Sequence, residues 1–303
     1  GNSQYNTGVD LGFSFNDIEL AIAVSKDNDR YIIKEKPKST PVLYCEFPLI
    51  GSEEFNLPVV INSPKFNPTE SRNGISLADK ILPEIEQNKS LFKSFVPAFI
   101  QFVETTIKYD FKDICHLAKV KFPKDRQYIS DEWYKGNIKS KLREAILDQK
   151  VVDTFNGRIS IRESKIPYNS KEESNIEFFN LAKSIKTNIP FSEEHLKIWR
   201  KIVDDEWGVN LKYELEDLLT NVSDYSNVAT LAEKLAKSEA DTLKWLDTVI
   251  SFIVKEEELD LLNDYAILPN QLNDFCKKDD LFKDENIPNE LKDILRSEER
   301  RVG

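Results

Sequence analysis

Two cations in one polar loop are the residues best placed to do chemistry. The stretch NSPKFNPTESRNGI, residues 62–75, carries Lys65 and Arg72 between turn-forming Pro, Asn and Gly residues. A loop of this kind after a strand can project a cation onto a phosphate. Equally, Arg72 can brace its own loop by pairing with Glu70 or with carbonyls, as surface arginines commonly do. The residues alone leave both readings open.

Other reactive types are sparse. The two histidines are His116 and His195, and neither stands at a metal-ligand spacing from another His or from a CxxC. Cys115 and His116 are adjacent, but helical neighbours point about a hundred degrees apart, so a Cys–His pair would need partners from elsewhere. The alternative for Cys115 is a small buried hydrophobe. The carboxylates in DDEW (204–207) and KEEELD (255–260) offer oxygen ligands for a divalent cation, or else form solvated helix ends. Trp133, Trp199, Trp207 and Trp245 fall on or beside helical stripes, which predicts packing roles. There is no GxSxG, P-loop, GxGxxG or HExxH motif.

The elements that must position these residues divide by period. In DIELAIAV, Ile18, Leu20, Ile22 and Val24 alternate with Asp17, Glu19, Ala21 and Ala23, which predicts a strand. KDND reads as a turn and RYIIKE as the return strand. PVLYCEFPLI and LPVVIN read as a second pair separated by GSEEFN. After Ile75 the period becomes helical. Phe92, Phe95, Val96, Phe99, Phe102, Val103 and Ile107 make one stripe, which Pro97 should kink or restart. Ser130 is positioned to cap a helix bearing Trp133, Ile138, Leu142, Ile146 and Leu147. VVDTFNGRISIRES predicts a hairpin turning at Asn156-Gly157, and Ser170 with Glu173 predicts a capping box for a helix near 171–187. Further helices are expected near 193–205, 211–221, 227–237 and 239–256. AILPNQLNDFCK reads as a short extended insertion, with a last helix after Pro288.

The fold class expected is therefore α+β. A small β-rich module, 1–75, precedes a mostly helical region, 76–295, with two short hairpin insertions and a possible division near 165–190. Across 303 residues the net charge is −11, spread along the chain without an acidic tail. Such a surface repels phosphate backbones and argues against nucleic acid as the main partner. No apolar run approaches the roughly 18 residues that span a bilayer, so no membrane partner is expected. Cys45, Cys115 and Cys276 are odd in number and far apart, which suggests reduced thiols in the cytoplasm and no metal site.

Three stretches carry a family resemblance. YCEFPLIGSEEFNLPVVINSPKFNPTESRNGI (44–75) resembles the segment after the nucleotide-binding lobe of bacterial sacsin-like ATP-binding proteins. FPKDRQYISDEWYKGNIKSKLREAILDQKVVDTFNG (122–157) resembles their next block, and YAILPNQLNDFCKKDDLFKDENIPNELKDIL (265–295) resembles one found there and in sacsin itself. Together they cover about a third of the chain, in the family's order. The resemblance implies a Bergerat-type, chaperone-like ATPase whose lobe carries a Glu/Asn helix, a DxGxG loop and a Gly-rich lid. None of these is present, so no cofactor is expected on this chain, and ATP and Mg only with a lobe encoded elsewhere. GNSQYNTGVDLGFSF is compatible with the tail of that lobe. RSEERRVG (296–303) resembles a translated sequencing adaptor, a resemblance that implies a non-native tail and leads to the expectation that the chain is an internal fragment.

In related split ATPases the domain after the lobe gives a basic side chain to the terminal phosphate. The resemblance places Arg72 in that region as a phosphate-sensing cation, with Lys65 second. The function it implies is a non-catalytic middle and downstream region that relays nucleotide-driven closure to a helical part binding a protein client, the missing lobe being its other partner. The alternatives are an interaction scaffold without nucleotide coupling and, disfavoured by the missing motifs, an enzyme of another type.

Overall fold

The computed structural model describes residues 9–123 and 127–281, and its class is α+β. The helix expected after Pro288 and the tail 296–303 lie outside the described residues. Two compact units are formed, one from 9–166 with 188–211 and the other from 167–187 with 212–281.

The first unit opens with β1 (Val9–Phe15), β2 (Ile18–Asp27) and β3 (Arg30–Ile33), an antiparallel meander centred on β2. The alternation in β2 sends Ile18, Leu20, Ile22 and Val24 into the core and leaves Ala21 and Ala23 on the outer face. β1 occupies one edge of β2 from end to end. The other edge is shared, because β3 pairs only with Val24–Asp27 and β6 (Val60–Asn62) pairs with Glu19–Ala21. The sheet therefore forks where β3 ends at Ile33 and its chain leaves the edge of β2.

The remaining strands form the expected second pair. PVLYCEFPLI pairs with LPVVIN in parallel, with Leu43 opposite Ile61 in β4 (Leu43–Cys45) and β6. Glu46 adopts a positive φ of 62° and turns the chain back as β5 (Phe47–Pro48), an antiparallel edge strand on β4. The parallel arrangement needs the long connection 49–59, which no tight turn signals.

The core face of the sheet packs against α1 (Pro83–Lys108), and Phe92, Phe95, Phe99 and Phe102 are each at most 1% exposed. Phe13 of β1 meets Phe102 at 5.8 Å between ring centroids. The helix runs unbroken through Pro97 and does not restart there. Burial of the aromatic stripe on both sides of Pro97 compensates for the backbone hydrogen bond it removes.

A buried 3-10 turn at Ile114–Ala118 follows. Next comes α2 (Asp131–Tyr134), capped by Ser130 Oγ, which accepts from the Trp133 amide. A wide five-residue turn at Lys135–Lys139 carries α2 into α3 (Ser140–Leu147). β7 (Lys150–Thr154) and β8 (Gly157–Ser160) form the expected hairpin, with Gly157 at φ 102°.

After β9 (Ile166–Pro167) the chain builds α4 (Asn175–Ile185) in the second unit and returns to the first for α5 (Glu193–Ile202). It ends in the second with β10 (Lys212–Tyr213), α6 (Leu215–Ser223), α7 (Val228–Leu235), α8 (Glu239–Glu256), α9 (Leu261–Asp264) and a hairpin of β11 (Leu268–Pro269) with β12 (Phe275–Cys276). Phe178 stacks between Tyr213 and Phe252 in this unit's core. Ser170 does not cap α4. Asn175 instead folds its side-chain amide back onto the carbonyls of Asn169, Lys171 and Glu172, closing the entry from inside the helix. No helix among the described residues is long and apolar enough to cross a membrane.

Candidate functional site

The loop that follows β6 is built as a rigid projection. Phe66 anchors its start, buried against Phe92 at 6.0 Å. Asn67 and Asn88 then exchange hydrogen bonds. The Asn67 amide donates to Asn88 Oδ1 at 2.8 Å, and Asn88 Nδ2 donates to the Asn67 carbonyl at 2.9 Å. Asn88 is 1% exposed, so this pair is the buried clasp between loop and α1. Beyond it the chain closes on itself. Thr69 N donates to Gly74 O, Arg72 N donates to Thr69 O, and the hydroxyls of Thr69 and Ser71 both donate to Asn73 Oδ1.

Arg72 occupies the tip of that closed loop in the left-handed region, at φ 53°. Outside Gly, Asn and Asp such a conformation costs on the order of 1–3 kcal/mol and persists only where neighbours over-determine it. Gly51, at φ 110°, lies against the next residue of the tip, Asn73. A Cβ there would lie 3.0 Å from Asn73 Cβ and 3.1 Å from its carbonyl oxygen, so only glycine lets the loop tip approach. The Arg72 guanidinium lies 5.3 Å from the centroid of the exposed Phe47 ring. Among the described residues it has no carboxylate partner, and Glu70 does not pair with it. Lys65 is differently placed. Its ammonium pairs with Asp17 at 2.8 Å, both groups about half exposed. The two expected cations thus share a loop without converging on one point. Phe47, against the tip, and Pro48 and Ile50, which follow it in the chain, are all exposed.

A second constellation lies at the fork of the sheet. The chain leaving β3 carries Lys34, Lys36 and Lys38. The 3-10 turn brings His116, and the segment after it Lys119 and Lys121, to the same cavity, about 340 Å³ in volume. Glu35, Glu53 and Glu54 also line it, leaving lysines in excess. Lys119 is paired with Glu35, and Lys36 Nζ donates to the Thr40 carbonyl at 3.2 Å. Lys34, Lys38 and Lys121 form no ion pair among the described residues. Burial pushes the Lys36 and Lys121 ammonium groups below the usual lysine range, although Glu53 and Asp204 respectively pull them back up. Burial likewise lowers His116, against the pull of Glu35 and Asp113. Lys34, Lys36 and Pro58 also border a second cavity of about 420 Å³. Its floor is Ala21 and Ala23, and Tyr44 is one wall.

Sequence reasoning missed this cluster. Its signal was present as two alternating runs, KEKPK (34–38) and KVK (119–121), each of which aligns its lysines when extended. Nothing local indicated that runs some eighty residues apart would meet.

The remaining candidates are occupied by structural work. Cys115 is fully buried and its thiol is pushed far up by that burial, with the charges of Asp113 and Asp153 adding to it, so no thiolate forms. His195 is buried on α5. Ser192 Oγ lies 2.9 Å from His195 Nδ1 and accepts from the His195 amide, and Asp113 Oδ1 stands 3.3 Å from Nε2, close but off the hydrogen-bond axis. Despite its Ser, His and Asp composition, the group closes the start of a helix beneath the Phe191 ring, 4.5 Å away. In DDEW, Asp204 takes a bidentate pair with buried Arg143, at 2.5 and 2.7 Å, and Glu206 pairs with Lys135 and Lys139. In KEEELD, Lys255 pairs with Glu177, and buried Glu256 accepts from Ser174 Oγ and pairs with Lys171. Among the described residues no group of His, Cys, Asp and Glu is arranged to hold a metal ion. Compared with known proteins, the chain matches no family model, no curated protein and no solved structure.

Proposed function

We propose that this chain is the non-catalytic middle region of a sacsin-like, chaperone-type ATPase, passing nucleotide-driven closure of a separate lobe to a helical region that holds a protein client. The observation that carries the reading is Arg72. It is a guanidinium without an acidic partner among the described residues, fixed at positive φ on a loop clasped to α1. A preorganised cation on a rigid mount stabilises charge that develops on a phosphate, because it needs no reorganisation when the reaction occurs. Lys65, tied to Asp17, is the weaker candidate for that role. The exposed Phe47 ring beside Arg72 suits a partner lobe closing there.

The test is Arg72→Ala in the protein joined to its nucleotide-binding lobe. Turnover is expected to fall tenfold or more while the nucleotide Kd stays within about twofold. Unchanged turnover removes Arg72 from the mechanism.

A second reading is an interaction scaffold with no nucleotide coupling. Ile81, 96% exposed, beside Leu82, 42% exposed, favours it, since adjoining exposed apolar groups mark protein contacts. Client affinity that is the same with and without ATP would select the scaffold.

A further inference from the structure

We propose that the lysine-lined cavity at the fork of the β-sheet is a binding site for a small phosphorylated molecule, independent of the role given to Arg72. The argument begins with topology. β3 and β6 share one edge of β2 and part beyond Ile33, so the backbone opens a cleft where two neighbouring strands diverge. Such a divergence is a place where sheets admit ligands, because no side chain of the regular ladder fills it.

The chemistry follows from what lines the cleft. Lys34, Lys36 and Lys38 enter from one wall, and Lys119 and Lys121 from the other, with His116 beside them. One of these lysines is held in an ion pair, Lys119 with Glu35, while Glu53 and Asp204 act on Lys36 and Lys121 without pairing with them. The five lysines outnumber the carboxylates of Glu35, Glu53 and Glu54 that line the cavity. Glu53 spends one oxygen on the Gly51 amide at 2.8 Å. Gathering ammonium groups in a half-enclosed space costs Coulomb energy at the low effective dielectric of such a site, and a multiply charged anion reverses the sign of that term. Compact ammonium groups on flexible stems act as point charges that the several oxygens of a phosphate can share. The position is also unexpected on statistical grounds, since the chain as a whole carries −11. The adjoining cavity, floored by Ala21 and Ala23, shares Lys34 and Lys36 and gives the uncharged body of the ligand a smooth surface beside Tyr44.

The experiment uses the full chain and inorganic pyrophosphate as the probe, by calorimetric titration at fixed ionic strength. Saturable binding at a single site is expected. Lys36→Gln with Lys121→Gln should weaken it tenfold or more, and Arg72→Ala should leave it unchanged. Loss in Arg72→Ala with retention in the lysine double variant would overturn the assignment, as would no saturable binding, or equal competition by chloride at matched ionic strength. Should the double variant not fold, lysine acetylation of the wild-type chain decides the matter. Pyrophosphate must protect Lys36 and Lys121 more than the exposed Lys26, and equal labelling would overturn the proposal. Because these arms read pyrophosphate affinity and lysine labelling and not ATP turnover, failure here leaves the relay reading standing, and the reverse also holds.

Discussion

His116 is a residue whose environment works against its own charge. Burial lowers its pKa, Glu35 and Asp113 raise it, and Lys119 and His195 lower it again, with a net fall from the usual value near 6.5. The unfolded chain therefore takes up this proton at higher pH than the folded one. Stability is complete above about pH 7 and falls as pH drops through roughly 6.5 toward the folded value, with a slope of at most about 1.4 kcal/mol per pH unit. Asp113 and Glu35 act lower down. The close approach of His195 to Asp113 and the hydrogen bond from Lys119 to Glu35 outweigh burial and hold both carboxyls below the ordinary range, so what they contribute is lost only below about pH 4. Urea unfolding from pH 7.5 to 5 should show the upper limb in the wild-type chain, and His116→Gln should flatten it. An unchanged limb in the variant would assign it to another group.

At the scale of elements, α1 is the clearest case of tertiary packing overriding local preference. Pro97 removes one donor and leaves the Lys93 carbonyl without its helical partner, yet the helix spans Pro83–Lys108. Pro97 itself is exposed, so its ring adds little to the core. Pro97→Ala is expected to raise stability by about 1–3 kcal/mol, read as a higher denaturant midpoint with an unchanged slope. A fall would mean that the proline is needed for the path of the helix. The elements also mark where sequence reading succeeds. The alternation of β2, the Phe stripe of α1, the Ser130 cap and the Asn156-Gly157 turn are local signals, and each forms as read. What was hidden is non-local. The parallel pairing of β4 with β6 depends on strand order, and the Asn67–Asn88 clasp and the lysine cavity join residues that no sequence window contains together. Arg72 and Lys65 were visible as cations in a loop, but the partner that separates their roles, Asp17, lies on the turn before β2.

On the scale of the whole molecule, the first unit is discontinuous. It needs 188–211 as well as everything before 167. That short segment supplies buried Leu196, Trp199 and Trp207, the carboxylate that holds buried Arg143, and the one that holds Lys139. A chain ending at residue 166 leaves those two cations without their counter-charges and a core without two tryptophans. Residues 1–166 alone should therefore lack a cooperative thermal transition, whereas the chain ending at 211 should regain one or retain a large part of it. A sharp transition in the shorter chain would show that the returning segment is an accessory to this core.

The order of synthesis gives that interleaving a further meaning. A ribosome delivers residues 167–187 before it delivers the α5 segment, so a portion of the second unit reaches the exit tunnel while the first is still incomplete. Nascent folding of the first unit must wait for residue 211 to emerge, and until then its aromatic interior stands open to whatever chaperone attends the growing chain.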